Sequence, residues 1–123
     1  MRILLSIKPK YAKKIFDGQK KYEFRRSIFK RAGIKTAVVY ASYPISKVIG
    51  EFIIEDVLSE KIDSLWESTK EHAGISREDY LLYFEGKDIG HALKIRSTKK
   101  YGVPVCIKEQ FGILPPQSFL YID

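Results

Sequence analysis

The chain opens on a short apolar run, Ile3, Leu4, Leu5 and Ile7, which Pro9 cuts off before a helical period can develop. A buried strand over Arg2–Ile7 is predicted. Pro9 suits a first helical turn, and Tyr11, Ala12, Ile15 and Phe16 then recur at spacings of three and four. That spacing predicts a short helix with Lys10, Lys13, Lys14 and Asp17 towards solvent and Gly18 at its end. Over Lys20–Arg26 the period falls to two: Tyr22 and Phe24 share one face of a strand, and Lys21, Glu23 and Arg25 share the other. Thr36–Ser42 and Lys47–Leu58 are rich in β-branched residues and read as central strands, with Gly50 a candidate bulge.

Helical patterning takes over in the middle. Asp63 or Ser64 is placed to cap a helix, Glu67 completes a capping box from Ser64, and Gly74 ends the segment. Ser76, with Asp79 three residues on, starts a second helix whose Tyr80–Phe84 run is expected to be buried around much of its circumference. Alternation returns in Ile89–Ser97 and Tyr101–Glu109, read as two strands, and Pro115 and Pro116 precede a last extended piece, Ser118–Ile122. Six to seven strands, several of them consecutive, and two to three short helices predict an α+β domain. Its sheet is expected to be curved, largely antiparallel, and able to close as a small barrel.

The 123 residues, 45% of them hydrophobic, suit one core and one domain over residues 1–123. A lone cysteine, Cys106, allows no intramolecular disulfide, and with only His72 and His91 beside it no zinc cluster is expected. Cys106 reads as buried and His91 as a satisfied core histidine. A reducing, cytoplasmic setting follows, with no membrane partner, because no apolar run approaches the length of a span and the amino terminus lacks a signal-peptide pattern. No phosphate-cradling glycine loop, dinucleotide fingerprint or HExxH motif is present, so no cofactor or metal is expected. Charge is more informative. Of the net +7, residues 1–40 carry 12 basic and 2 acidic residues, while the remainder is net acidic. Such asymmetry attracts polyanions, nucleic acid first among them.

The densest chemistry is GQKKYEFRRS, residues 18–27, where Gly18-x-Lys20-x-x-Glu23-x-Arg25 matches the GxKxxExR signature of the ASCH family. With the flanking SIKPKYAKKIFDGQKKYEFRR, a GEF at Gly50–Phe52, the LWESTKEHAGIS segment and the PPQSF ending, the chain resembles small bacterial, archaeal and phage ASCH proteins over almost its full length. The resemblance implies a compact PUA-like β-barrel with a cleft over the motif, related to domains that bind RNA or read modified bases. Some members are similar in fold to metal-independent ribonucleases or to an amidohydrolase acting on acetylated cytidine. That amidohydrolase branch carries a threonine nucleophile where Glu23 stands here, while Lys20 matches its lysine.

The residues themselves allow two roles. Glu23, set among Lys20, Lys21, Arg25 and Arg26, sits in a positive field that favours the carboxylate, so orienting Arg25 or accepting from a base amino group suits it better than general-acid work. The plain alternative is a charged ladder on the solvent face of a sheet. Lys20 and Glu23 have opposite strand parity, so they meet only if Lys20 lies in a turn or a bulge intervenes. Lys8, with Lys13 and Lys14, extends a phosphate track; Tyr40 and Ser42 end a central strand where a base can stack and bond; Gln117 and Ser118 follow the double proline. An RNA-binding module is the first expectation, with an RNA strand or a nucleotide or nucleoside as ligand. A metal-independent hydrolase is the alternative, with Lys20 as catalytic base, Glu23 beside it and Arg25 on the oxyanion. A transcription-related regulator is the third, weakened by the acidic composition of the paired helices at Ser64–Phe84.

Overall fold

The structure, a computed structural model, describes all 123 residues. Its strands are β1 (Arg2–Ile7), β2 (Tyr22–Arg25), β3 (Thr36–Ala41), β4 (Lys47–Lys61), β5 (Ile89–Val105) and β6 (Phe119–Ile122). Its helices are α1 (Pro9–Phe16), α2 (Ile62–Thr69), α3 (Arg77–Tyr83) and α4 (Ile107–Phe111), with a 3-10 turn at Lys70–His72. One sheet in the order β2-β5-β4-β3-β1-β6 holds all six strands, antiparallel except where β1 runs alongside β3. The expected α+β class with a largely antiparallel sheet is therefore found. The sheet is open, with β2 and β6 as its edges, so backbone pairing makes no closed barrel.

Strand β1 is central and buried on both faces, which explains a sequence that is apolar at consecutive positions. Ile3, Leu5 and Ile7 join Val39, Phe52 and the Ala12 and Ile15 of α1 on one face. On the other, Leu4, Val38, Tyr40 and Val48 pack on Ile107 of α4. A third cluster, Phe24, Ala92, Leu65, Tyr80 and Phe84, seats α2 and α3 on the β2–β5 end. α1 packs close because Gly50 lacks a side chain: a Cβ there would lie 2.7 Å from the Phe16 ring.

Several expectations are corrected. Ile89–Ser97 and Tyr101–Glu109 are not two strands. They form the single long β5, which absorbs its irregular stretch as a register shift between the Gly50–Lys100 and Val48–Val105 pairs. The end of that apolar parity, Ile107, belongs instead to α4, giving four helices instead of two to three. β4 continues to Lys61 and turns straight into α2, so Asp63 and Ser64 fall inside the helix and no side chain caps it. Ser76 does cap α3, accepting from the Asp79 N–H at 3.1 Å. Only Tyr80 and the following Phe84 are buried there; Leu81 and Leu82 are exposed. Cys106 is half-buried as the N-cap residue of α4. His91 is not a core histidine: half-exposed, it shares a 2.7 Å hydrogen bond between Nδ1 and Ser59 Oγ.

Candidate functional site

Lys20 stands before β2, not within it. Gly18 takes the left-handed conformation (φ +82°) that ends α1, and the Lys20 N–H returns to the Lys14 carbonyl at 3.0 Å. The parity conflict between Lys20 and Glu23 is removed in this way. The side chain of Lys20 is 3% exposed. Its Nζ donates to the Ala73 carbonyl at 2.6 Å and lies 4.6 Å from the centre of the Phe24 ring and 5.3 Å from that of Tyr11. Burial is the main cause that pulls its pKa down to about 8; Glu23 opposes the shift and Lys14 adds to it.

Glu23 and Arg25 occupy alternate positions of β2, share a face and are both buried. Arg25 Nη1 donates to Glu23 Oε2 at 3.2 Å, and its Nη2 donates to Ser118 Oγ at 2.8 Å. Arg25 Nε is buried without a partner. Ser118 immediately precedes β6, so one guanidinium spans from one sheet edge to the other. Tyr83 contributes its hydroxyl to the Phe24 carbonyl at 3.0 Å, and burial raises its pKa.

These groups line a cleft of about 820 Å³. Of the residues singled out in the sequence, Lys8, Lys20, Glu23, Arg25, Tyr40, Ser42 and Gln117 line it, and Ser118 reaches it through Arg25. Two do not. Lys21 is exposed outside the cleft, its backbone N–H held by the His72 carbonyl at 2.9 Å. Arg26 lies just past β2, where its Nη1 donates to the carbonyls of Tyr83 and Glu85 at 2.8 and 2.9 Å and closes the end of α3.

Sequence reasoning missed Tyr11, Phe24, Tyr83 and Lys10 as lining residues, along with the Ala73–Gly74 corner. Tyr11 and Lys10 were visible as opposite sides of α1, but the cleft mouth crosses that helix near its start. The corner left no local signal, because its partner Lys20 lies 53 residues away. Among His, Cys, Asp and Glu side chains, no group of three is placed to hold a metal ion. What the cleft offers is a buried amine, a carboxylate–guanidinium pair, hydroxyls and five aromatic rings, a set matched to a phosphodiester and a base.

The family model for the ASCH domain matches residues 5–108. The chain belongs to the ASCH domain family. An ASCH domain-containing ribonuclease of Zymomonas mobilis subsp. mobilis is 29% identical over 123 residues, covering 97% of this chain and 82% of that protein. The large ribosomal subunit protein uL22 of Ureaplasma parvum serovar 3 is 32% identical over 120 residues. There the ASCH domain described here is matched over 98% of its own length but spans only 39% of the relative. Among solved structures, the ASCH protein from Zymomonas mobilis superposes with a TM-score of 0.90 at 30% identity, covering 99% of this chain and 87% of that one. A Ser→Ala variant of it gives a TM-score of 0.91 at 29% identity, over 99% of this chain and 88% of the other. The α+β, PUA-like ASCH fold is thereby shared over nearly the whole chain.

Proposed function

We propose that this ASCH domain cleaves single-stranded RNA, holding one nucleotide in the cleft. The observation that carries the reading is the buried amine of Lys20. With a pKa of about 8, on the order of a tenth of these amines are neutral at pH 7, enough to accept a proton during reaction. In the proposed step Lys20 takes the proton of a ribose 2′-hydroxyl, whose oxygen attacks the adjacent phosphorus. The bond from phosphorus to the 5′ oxygen breaks, that oxygen is protonated from water, and a 2′,3′-cyclic phosphate remains. Arg25 faces the charge that gathers on the phosphoryl oxygens, and Glu23 holds Arg25 in place. Tyr11, Tyr40 and Tyr43 offer faces on which the base stacks, and Lys8 receives a neighbouring phosphate. The Zymomonas relative named as a ribonuclease supports this reading.

RNA binding without turnover is the second reading, favoured by one observation: Lys20 Nζ and both Nη groups of Arg25 already have partners within the chain. Labelled single-stranded RNA incubated in EDTA with the wild type and with Lys20→Met separates the two. Cleavage is expected in the wild type and is expected to fall by about 10²–10⁴-fold in the variant, with affinity kept within a few-fold. Affinity without cleavage at high protein concentration selects the binding module. Absence of both removes RNA from the account.

A further inference from the structure

Several cations before residue 40 are engaged by partners within the chain. Arg26 closes α3, Arg25 joins Glu23 to Ser118, and Arg31 lies over the Tyr121 ring at 4.5 Å. A second cationic run has no such engagement. In β5 the segment IRSTKKYG carries Arg96, Lys99 and Lys100, all exposed. The five ion pairs of the chain involve Arg2, Lys13, Arg25, Lys70 and Lys94, and none of these three. Glu51, the register partner of Lys99, accepts instead from the Tyr101 hydroxyl at 2.8 Å.

The fold sets this run at one end of α1. Lys100 pairs with Gly50, the position whose missing Cβ admits Phe16, so Lys100 leaves the sheet on the α1 side, beside the last residue of that helix. At the helix's other end, Lys8 and Lys10 line the cleft. Eight helical residues cover about 12 Å; between the two ends Lys13 is paired with Asp17 at 2.8 Å and Lys14 donates to the Gly74 carbonyl at 3.4 Å, so the free cations are those at the ends. β2 pairs only with His91–Lys94, so at Arg96–Lys100 one edge of β5 is open; Lys100 and its neighbour Lys99 leave opposite faces of the strand and flank that edge. Unneutralised cations set this close repel one another, and a polyanion laid along them relieves the repulsion while releasing its own counterions.

We propose that Arg96, Lys99 and Lys100 form a second RNA contact, holding phosphates of the strand beyond the nucleotide in the cleft. The inference rests on the reading of the cleft as an RNA site. RNA is favoured over an acidic protein because the run lies about one short helix away from Lys8 and Lys10 at the cleft mouth, a spacing that successive phosphates of one strand can bridge. Edge lysines also keep foreign strands from pairing with a sheet, a task that would show as aggregation and not as RNA affinity.

The test compares the wild type with the triple variant Arg96→Ala, Lys99→Ala, Lys100→Ala and with the milder Lys99→Gln, Lys100→Gln, whose polar side chains keep the edge soluble. Fluorescence anisotropy of a labelled tetranucleotide and a labelled sixteen-nucleotide single strand is read across a salt series. For the long RNA, the slope of log affinity against log salt is expected to become shallower by about 2 in the triple variant, at about 0.7 per phosphate contact, and by about half to two thirds of that in the double variant. For the tetranucleotide, slope and cleavage are expected to stay at wild-type values. Wild-type slopes on the long RNA, equal losses on both lengths, or aggregation with unchanged slopes would each overturn the inference while leaving the cleft reading intact. A wild type that binds neither RNA overturns both.

Discussion

The aliphatic stem of Lys20 lies against Gly74, so closely that a Cβ at position 74 would sit 2.5 Å from the lysine Cβ. Gly74 also has φ +65°, a conformation that costs other residues strain. Gly74→Ala is therefore expected to lose about 1–3 kcal/mol and to push Lys20 out of its slot. Denaturant unfolding reads the first effect. A shift in the pH midpoint of cleavage, absent from a merely destabilised variant, reads the second.

Lys20 also couples stability to pH. The folded protein binds its proton with a pKa of about 8, against 10.5 for an ordinary lysine, so between those values the unfolded chain keeps a proton that the native state has released. Stability should thus rise with pH across this window, and the penalty, roughly 3 kcal/mol, should be fully present below pH 8. Lys20→Met removes the charge and keeps the stem. Unfolding free energies measured at pH 7 and pH 10 should converge between wild type and variant as pH increases.

If neutral Lys20 is the base, the cleavage rate should climb through a midpoint near pH 8 and level off above it. A profile that is flat between pH 6.5 and about 9.5 would remove Lys20 from the chemistry while leaving it in the cleft.

Arg25→Ala would leave the Glu23 carboxylate buried and unpaired, and a loss of about 3–5 kcal/mol is expected. Ser118→Ala removes one hydrogen bond to the same guanidinium and should cost less, about 1–3 kcal/mol. A double-mutant cycle on the two measures how far they act as one unit.

Arg26 separates fold from function. Arg26→Ala removes two bonds to the end of α3 and should lower stability by about 1–2 kcal/mol, with RNA affinity unchanged after correction for unfolded protein.

Much of this arrangement was legible in the chain because it is local. The apolar run of β1, the three-and-four spacing of α1, the β-branched stretch of β3 and the Ser76 cap each express a preference that neighbouring residues do not oppose. The reading failed where tertiary contacts decide. Ile107 continued a strand parity through Val103 and Val105, yet it is drawn under Leu4 and Val38 as the first residue of a helix. Lys21 and Arg26 could not be told from Lys20 and Arg25 by residue type. What separates them is where β2 begins and ends, and that is set by its pairing with His91–Lys94. The Ala73 carbonyl that receives Lys20 has no sequence signature at all.

Arg25 ties Glu23 of the motif to Ser118, just ahead of the chain's last strand, so its guanidinium is at once a wall of the hollow and the rivet between opposite margins of the sheet. A defect seen on altering it reports nothing about chemistry until the folded fraction has been counted in the same tube. The amine at position 20, whose removal relieves a burden on folding, is the cleaner place to ask what this domain does to RNA.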